Sequence, residues 1–292
     1  MAALFASAAA SLPLIACLTL IAGRRGNSLL CLWGGYHLLH FCLMLATVGP
    51  LWIMGSYVAD VAQFGSSIAQ KLEPLIHEAG LPWSCSCAAW VIGWLLAAIT
   101  CALVRRDLEL FNGDRYRIAY IKLPLIGCLA ACLLFFASFV LINWPFAGLP
   151  QGLSWDRAVS AIIRHAMRQY FVSFSSAGAL ALVAALYWLR GMDSQQEWLS
   201  VRWLGVWASG GCLPGLLQNW GTMLGLGARG GLPGALAQGM WSNISVLGFY
   251  TAALACWCLL VWRPKYWRIC AVLGFALLLL KTAAPFIVKI IY

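Results

Sequence analysis

The chain has 292 residues, of which 63% are hydrophobic and only 10% are charged. A soluble domain needs a polar surface and typically carries about a quarter charged residues, so this composition excludes an ordinary soluble protein. The net charge of +10 would suggest nucleic acid binding in a soluble protein, but here the basic residues lie in short loops between apolar runs. We therefore expect the lipid bilayer as a partner, and no nucleic acid.

Eight apolar segments are long enough to cross a bilayer, since a spanning helix needs about 20 residues at about 1.5 Å each. They are predicted over residues 3–22, 28–54, 85–104, 121–143, 168–189, 202–224, 241–262 and 268–288. Arg24 and Arg25 follow the first segment and do not precede it, so we interpret that segment as a retained helix and not as a signal peptide. The sequence predicts an all-α integral membrane protein, a single domain over residues 1–292 built as a bundle of about eight transmembrane helices with short loops.

The distribution of basic residues predicts the orientation of the chain. Arginine and lysine are most frequent in the loops after the first, third, fifth and seventh predicted spans, and the positive-inside rule places these loops in the cytoplasm. Both termini then lie outside, although Lys281 and Lys289 near the C terminus argue mildly against this. The sequence thus predicts a multi-pass protein of the inner (cytoplasmic) membrane of a prokaryote.

Three segments show sequence patterns that a simple apolar transmembrane helix does not have. Residues 57–79 place apolar side chains at helical spacing, which favours an amphipathic helix on the outer face. Residues 154–167 begin with the helix-cap candidate Ser154, and this helix is expected to continue directly into the fifth span. In the sixth span, glycines and Pro214 interrupt the apolar run, which is typical of close helix packing or of a helix that lines a site.

Several chemistries are missing from the sequence. All nine acidic residues fall outside the predicted spans, which disfavours a proton- or cation-coupled pump, because such pumps normally use intramembrane carboxylates. The chain has no P-loop, HExxH or GxSxG motif and no paired-carboxylate site, which disfavours a hydrolase. Most of the twelve cysteines lie singly in apolar runs and suggest no disulfide framework.

Two histidines lie in the second predicted span. His37 and His40 are three residues apart and share one side of the helix, and His40 is expected about 18 Å from the cytoplasmic end, near the bilayer centre. A polar side chain at this depth needs a partner and is a candidate for cofactor binding. A structural histidine, hydrogen-bonded to a neighbouring helix, is an equally good interpretation, and both remain open.

A polar cluster precedes the fifth span in the stretch IIRHAMRQYF, residues 162–171. Arg164 and Arg168 are suited to anionic groups such as haem propionates, and the imidazole of His165 is a candidate ligand of haem iron. Met240 begins the seventh span on the same predicted outer face, so His165 and Met240 are candidates for the two ligands of one iron. The alternative is an interfacial cluster whose long side chains reach the membrane surface without any ligand.

A third candidate site lies in the sixth span, where Gln218, Asn219 and Trp220 follow one another. Amide side chains can hydrogen-bond a quinone carbonyl, which makes these residues candidates for quinone binding. Hydrogen bonds between helices are the commoner use of such amides, and this interpretation also remains open.

Three stretches of the chain resemble cytochrome bd quinol oxidase subunit I. They are IIRHAMRQYFVSFSSAGALALVAALYWLRG (162–191), LAACLLFFASFVLINWPFAG (129–148) and MWSNISVLGFYTAALACWCLLVWRPKYWR (240–268), which look like its fifth, fourth and seventh helices. The resemblance implies that His165 is the ligand of a low-spin haem b. It also implies an outer N terminus and a quinol-linked activity.

The sequence departs from that family at the residues of the oxygen site. The first span has no histidine, and no carboxylate lies inside the predicted helices. Val246 stands where the family has its methionine ligand, so Met240 would have to substitute from one turn or more earlier. The quinol loop is reduced to GLGARGGLPGALAQG, residues 225–239. The resemblance therefore extends to one haem b or a quinone site, and not to oxygen reduction.

Three functions are compatible with these features. The first is an integral membrane subunit of a respiratory or redox complex, which would transfer electrons to or from membrane quinone and would associate with other subunits. The second is a small-solute transporter or channel, favoured by the interrupted sixth span. The third is a cofactor-free membrane anchor subunit.

Overall fold

The computed structural model describes residues 2–26, 29–64, 80–111, 122–142, 155–237 and 240–291. These residues form eight long helices and no strand, which confirms the all-α prediction for the part of the chain described. The helices are α1 (Ala2–Gly26), α2 (Leu29–Phe64), α3 (Gly80–Phe111), α4 (Lys122–Ile142), α5 (Trp155–Trp188), α6 (Ser194–Ala237), α7 (Met240–Trp262) and α8 (Trp267–Ile291). A short 3-10 turn, Pro264–Tyr266, leads into α8.

Six of the described helices contain a stretch that is long and apolar enough to cross a membrane, as expected of a multi-pass membrane protein. The stretches are Leu4–Ala22, Leu29–Trp52, Trp83–Glu109, Lys122–Leu141, Ile162–Trp188 and Ile244–Trp262. The spans predicted at 202–224 and 268–288 coincide with α6 and α8, which are helical but are not among the six. In α6, Arg202 and many Gly and Ser residues lower the mean hydropathy. The full set of eight spans remains a prediction.

Helix α3 extends beyond the apolar segment that the sequence predicted for it. It continues to Phe111, so Asp107 and Glu109 lie within the helix and not in a loop as expected. Glu109 accepts a hydrogen bond from Arg105 Nε at 3.1 Å, an i, i+4 ion pair that favours an additional turn. Asp107 is buried, so one carboxylate does lie in the packed end of a spanning helix.

The helix predicted ahead of the fifth span is confirmed, since α5 runs without a break from Trp155 to Trp188. Helix α6 is also continuous, so the expected interruption at its glycines and Pro214 is not seen. Gly205, Gly211 and Gly215 instead pack closely against neighbouring helices, whereas nothing lies within 4 Å of a Cβ placed on Gly210 or Gly221. Of the amphipathic helix predicted over 57–79, residues up to Phe64 form the end of α2, and the remainder lies outside the described residues.

The chain divides into two compact units, Met1–Tyr170 (unit 1) and Phe171–Tyr292 (unit 2), and α5 contributes one half to each. In unit 1, α1 packs against α2 and α4, and α3 packs against the same two helices, which closes a four-helix bundle. Small residues such as Ala9 and Ser11 make α1 the most buried of the six spans, because they let neighbours approach closely. The single domain expected over residues 1–292 remains a prediction.

In unit 2, small residues bring α5 and α6 into backbone contact. A Cβ added to Gly178 would lie 2.7 Å from Ala208 Cα, and one added to Gly211 would lie 2.7 Å from the carbonyl carbon of Phe174. Helix α7 packs against both α6 and α8. Because the helices approach so closely, polar side chains of α5, α6, α7 and α8 meet at one buried position.

Candidate functional site

The polar cluster predicted at the start of the fifth span is an exposed face of α5. The opposite face is buried in unit 1 through residues spaced four apart: Ile162, Ala166 and Tyr170. Arg164, His165 and Arg168 fall between these positions, and their side chains are exposed. The helical period of 3.6 residues separates the two sets, which explains why the polar residues point away from the bundle.

Tyr170 fixes this helix against the rest of unit 1. Its hydroxyl donates a hydrogen bond to the Ala10 carbonyl at 3.2 Å, and the Cys132 thiol lies 2.8 Å from the same hydroxyl oxygen. Phe136 packs edge-on against the Tyr170 ring, with centroids 5.4 Å apart. The buried side of α5 is therefore structural, whereas the exposed side that carries His165 remains accessible for a ligand.

The imidazole of His165 has a hydrogen-bond partner on its own helix. Gln169 Nε2 lies 3.0 Å from His165 Nε2, so the amide donates and the ring nitrogen accepts. An iron bound through Nε2 would displace Gln169, whereas an iron bound through Nδ1 would not. Met240 begins α7, but its side chain lies outside the described residues, so the predicted pair of haem ligands remains a prediction.

His37 and His40 form a column of aromatic rings on α2. The His37 ring lies 4.0 Å from Trp33 and 5.3 Å from Tyr36, measured between centroids, and Tyr36 stacks on His40 at 6.1 Å. His37 is half-buried and His40 is exposed, although both lie in the apolar stretch Leu29–Trp52. An exposed imidazole in a membrane span requires a cover other than lipid tails, so this face is a candidate contact for another subunit.

The predicted quinone residues of α6 are only partly described. Asn219 is half-buried, Trp220 is 52% exposed, and the side chain of Gln218 lies outside the described residues. Exposure of Trp220 favours a position at the surface of unit 2. The quinone role predicted for these three residues remains a prediction.

A polar cluster that the sequence reasoning did not single out lies inside unit 2. It consists of Ser175 of α5, Cys212 of α6, Tyr250 of α7 and Lys281 of α8. Ser175 Oγ and Cys212 Sγ share a hydrogen bond of 3.2 Å, and both side chains are fully buried. The Lys281 ammonium lies 4.4 Å from the centroid of the Tyr250 ring, which is a cation–π contact.

The Tyr250 hydroxyl completes the cluster and has unused hydrogen-bonding capacity. It is buried beside Ser175 and Cys212, but it makes no hydrogen bond of good geometry within the described residues. Gly215 leaves the space that this ring occupies, since a Cβ there would lie 2.7 Å from Tyr250 Oη. A buried hydroxyl without a partner costs free energy, so its retention in an apolar setting suggests a ligand.

Lys281 and Tyr250 lie at a similar depth along the neighbouring helices α8 and α7. By helix rise, Lys281 is about 21 Å from the start of α8 and Tyr250 is about 18 Å from the end of α7. Both distances fall within a hydrocarbon core of about 30 Å. Lys281 therefore lies well inside the bilayer if α8 spans it, and an ionisable group at that depth is a functional candidate by default.

One sequence signal could have identified this cluster. Lys281 is a charge within a segment of apolar residues, but its closeness to the C terminus made it look like a topology marker. Ser175, Cys212 and Tyr250 carry no such signal, because single polar residues are common in membrane helices. Only the packing of four helices shows that they meet.

Comparison with protein-family models, with curated proteins and with solved structures gives no match for this chain. Within the described residues, no group of three or more His, Cys, Asp or Glu side chains is arranged to hold a metal ion. A haem takes only two ligands from protein, so that finding does not bear on His165. The function of the protein is therefore inferred from the geometry within each of the two units.

Proposed function

We propose that this protein is an integral membrane subunit of a respiratory or redox complex that transfers electrons to or from membrane quinone. The observation that carries the proposal is the cluster of buried Ser175, Cys212 and Tyr250 with half-buried Lys281. A quinone has an apolar ring and tail and two carbonyl oxygens that only accept hydrogen bonds. A site for its head inside a membrane therefore needs buried donors, which this cluster supplies.

Lys281 and Tyr250 have distinct roles in this proposal. The Tyr250 hydroxyl, which lacks a good partner, donates to a quinone carbonyl. The only acidic residues of unit 2 are Asp193, immediately before α6, and Glu197, in its first turn, so no carboxylate of unit 2 lies near Lys281 along the helices. An unbalanced ammonium stabilises the negative charge that develops on the quinone oxygen during reduction.

The exposed face of α5 is the proposed position of one haem b. The fit rests on the donor set, because His165 is exposed between two exposed arginines of the same face, Arg164 and Arg168. His165 would hold the iron, and the arginines would pair with the propionates. When bound, a haem would supply one-electron transfer.

Helix α2 supports the proposal that this protein is a subunit of a larger complex. His40 is exposed in a span, stacked only on Tyr36 among the ring contacts described. A partner subunit that covers this face would satisfy the imidazole, whereas lipid tails would not.

The first experiment measures what the purified full chain binds. Solvent extraction should recover quinone, and a reduced-minus-oxidised visible spectrum should show a haem b band that His165→Ala removes. His40→Ala and Gln169→Ala serve as matched controls and should keep the band. A band that survives His165→Ala would contradict the haem assignment, and the absence of quinone, haem and associated redox subunits would contradict the redox proposal.

The other functions make different predictions for the same preparation. A cofactor-free anchor would show neither haem nor quinone, and His165→Ala would lower only its stability. A transporter would show specific uptake in proteoliposomes that depends on Gly215 or Asn219. The transport alternative was favoured by an interrupted sixth span. Because α6 is continuous, that support is lost, and the redox proposal is preferred.

A further inference from the structure

A surface cavity of about 520 Å³ opens at the end of unit 2 where α6 and α8 begin. Its lining includes Glu197 and Trp198 of α6 and Lys265, Tyr266 and Arg268 beside the start of α8. This end carries the loops that follow the fifth and seventh predicted spans, which the positive-inside rule places in the cytoplasm. The cavity is separate from the Lys281 cluster, which lies about 21 Å away along α8.

The walls of the cavity are rigid and cationic. Glu197 Oε1 accepts hydrogen bonds from Trp267 Nε1 at 3.0 Å and from Arg268 Nη2 at 3.2 Å, which ties the start of α8 to α6. The Arg268 guanidinium also lies over the Trp267 ring, 5.6 Å from its centroid. Lys265 is exposed, so the lining carries two cations and one carboxylate, of which Arg268 and Glu197 are paired with each other and Lys265 is left as the excess positive charge.

Two further arginines, on the segments before and after the start of α6, contact aromatic rings. Arg202 lies 4.5 Å from the centroid of Trp198, and Arg190 lies 5.8 Å from that of Tyr187. The Asp193 carboxylate caps α6, where it accepts a hydrogen bond from the Gln196 backbone N–H at 2.8 Å. This capping also means that the α6 N terminus offers few free donors, so any anion held here is held by side chains.

We propose that this cavity binds the phosphate group of an anionic lipid headgroup. Phosphate is the chemistry that a guanidinium and an ammonium at one cavity recognise. The membrane is the favoured source because the cavity adjoins exposed aromatic residues of the kind found at headgroup level. Trp262 is 86% exposed and Tyr266 is 49% exposed. Basic sites between helices on the cytoplasmic side are suited to anionic headgroups.

The test titrates the full chain in detergent with short-chain phosphatidylglycerol, with phosphatidylcholine of the same chain length, and with inorganic phosphate. Bound lipid is counted by native mass spectrometry. We expect tighter binding of phosphatidylglycerol than of phosphatidylcholine. Removing one cation by Lys265→Gln should weaken phosphatidylglycerol binding about fivefold. Lys265→Arg should restore it.

Arg263→Gln is the matched control, since it removes an exposed charge from the same segment but does not line the cavity. It should change binding by less than about twofold, because charges outside the contact are screened. Lys265 is exposed and absent from the ion pairs described, so its replacement should leave the melting temperature unchanged.

Three results would overturn the proposal. The first is phosphatidylglycerol binding that Lys265→Gln leaves unchanged. The second is equal binding of the two lipids. The third is displacement of phosphatidylglycerol by inorganic phosphate at matched concentration, which would make free phosphate the ligand. None of these outcomes depends on whether the protein binds quinone.

Discussion

At the scale of single residues, the two units contain buried tyrosines with different hydrogen bonding, Tyr170 and Tyr250. Tyr170 ties α5 to α1 and α4 through the Ala10 carbonyl and the Cys132 thiol, whereas Tyr250 of unit 2 lies beside Ser175 and Cys212 without a hydrogen bond of good geometry. The two phenols therefore differ in role. The first has satisfied hydrogen bonds and is structural, and the second has spare capacity and belongs to the proposed quinone site.

Tyr170→Phe is expected to destabilise the protein by about 1 kcal/mol, because it removes the hydroxyl that bridges three helices. Thermal unfolding in detergent measures the effect, and Tyr187→Phe is the control, since Tyr187 is 73% exposed. Equal melting temperatures for the two variants would contradict the structural role of Tyr170.

Gly215→Ala is expected to cost about 1–3 kcal/mol, because the added methyl group would overlap the ring and hydroxyl of Tyr250. Gly210→Ala in the same helix is the matched control, since nothing lies within 4 Å of its Cβ position and alanine favours a helix. Unfolding of both variants is compared in one detergent. A Gly215 variant as stable as the Gly210 variant would mean that Tyr250 does not pack as described.

At the scale of helices, the sequence predicted most of the elements but not all of their ends. Apolar runs identify the cores of α1 to α5 and α7 because the hydrophobic effect acts on whole segments. The end of α3 was missed because the Arg105–Glu109 pair extends a helix that hydropathy alone would stop. The continuity of α6 was not predicted, because glycines in a sequence usually indicate the end of a helix. In the structure, neighbouring helices pack against α6 and support its backbone.

The contact between α5 and α6 supplies a prediction at this scale. Gly178→Val and Gly211→Val each force the two helices apart, so each should destabilise unit 2. The double variant should lose less stability than the sum of the single losses, because one displacement relieves both clashes. Equilibrium unfolding of the three variants measures this, and strict additivity would contradict a shared contact.

At the scale of the whole molecule, the orientation is a prediction of the sequence that awaits measurement. Reporter enzymes fused after residue 112 and after the C terminus should be active on opposite sides of the membrane, the first in the cytoplasm and the second outside. The same result requires that α6 and α8 either both cross the bilayer or both do not, because each crossing reverses the side on which the C terminus lies. A cytoplasmic C terminus would contradict eight spans with both termini outside.

The candidate sites show which site residues sequence reasoning can identify in such a protein and which it cannot. It identified Arg164, His165 and Arg168 because charged residues are conspicuous at the edge of an apolar run. It did not bring Ser175, Cys212 and Tyr250 together, since their meeting depends on helix contacts that no local pattern encodes. Lys281 was recognisable in the sequence as a charge within an apolar segment. Its proposed role in quinone binding depends on its contact with the Tyr250 ring, which only the structure provides.

The central claim is that the Lys281 cluster binds a quinone head, and one titration tests it most directly. The purified chain and the variants Lys281→Met, Lys281→Arg and Tyr250→Phe are titrated with a short-chain ubiquinone. Lys281→Met and Tyr250→Phe should each weaken binding about tenfold or more, since each removes a donor, whereas Lys281→Arg should retain most of the affinity. Saturable binding that is equal in all four proteins, or no saturable binding to the unchanged chain, would contradict the claim.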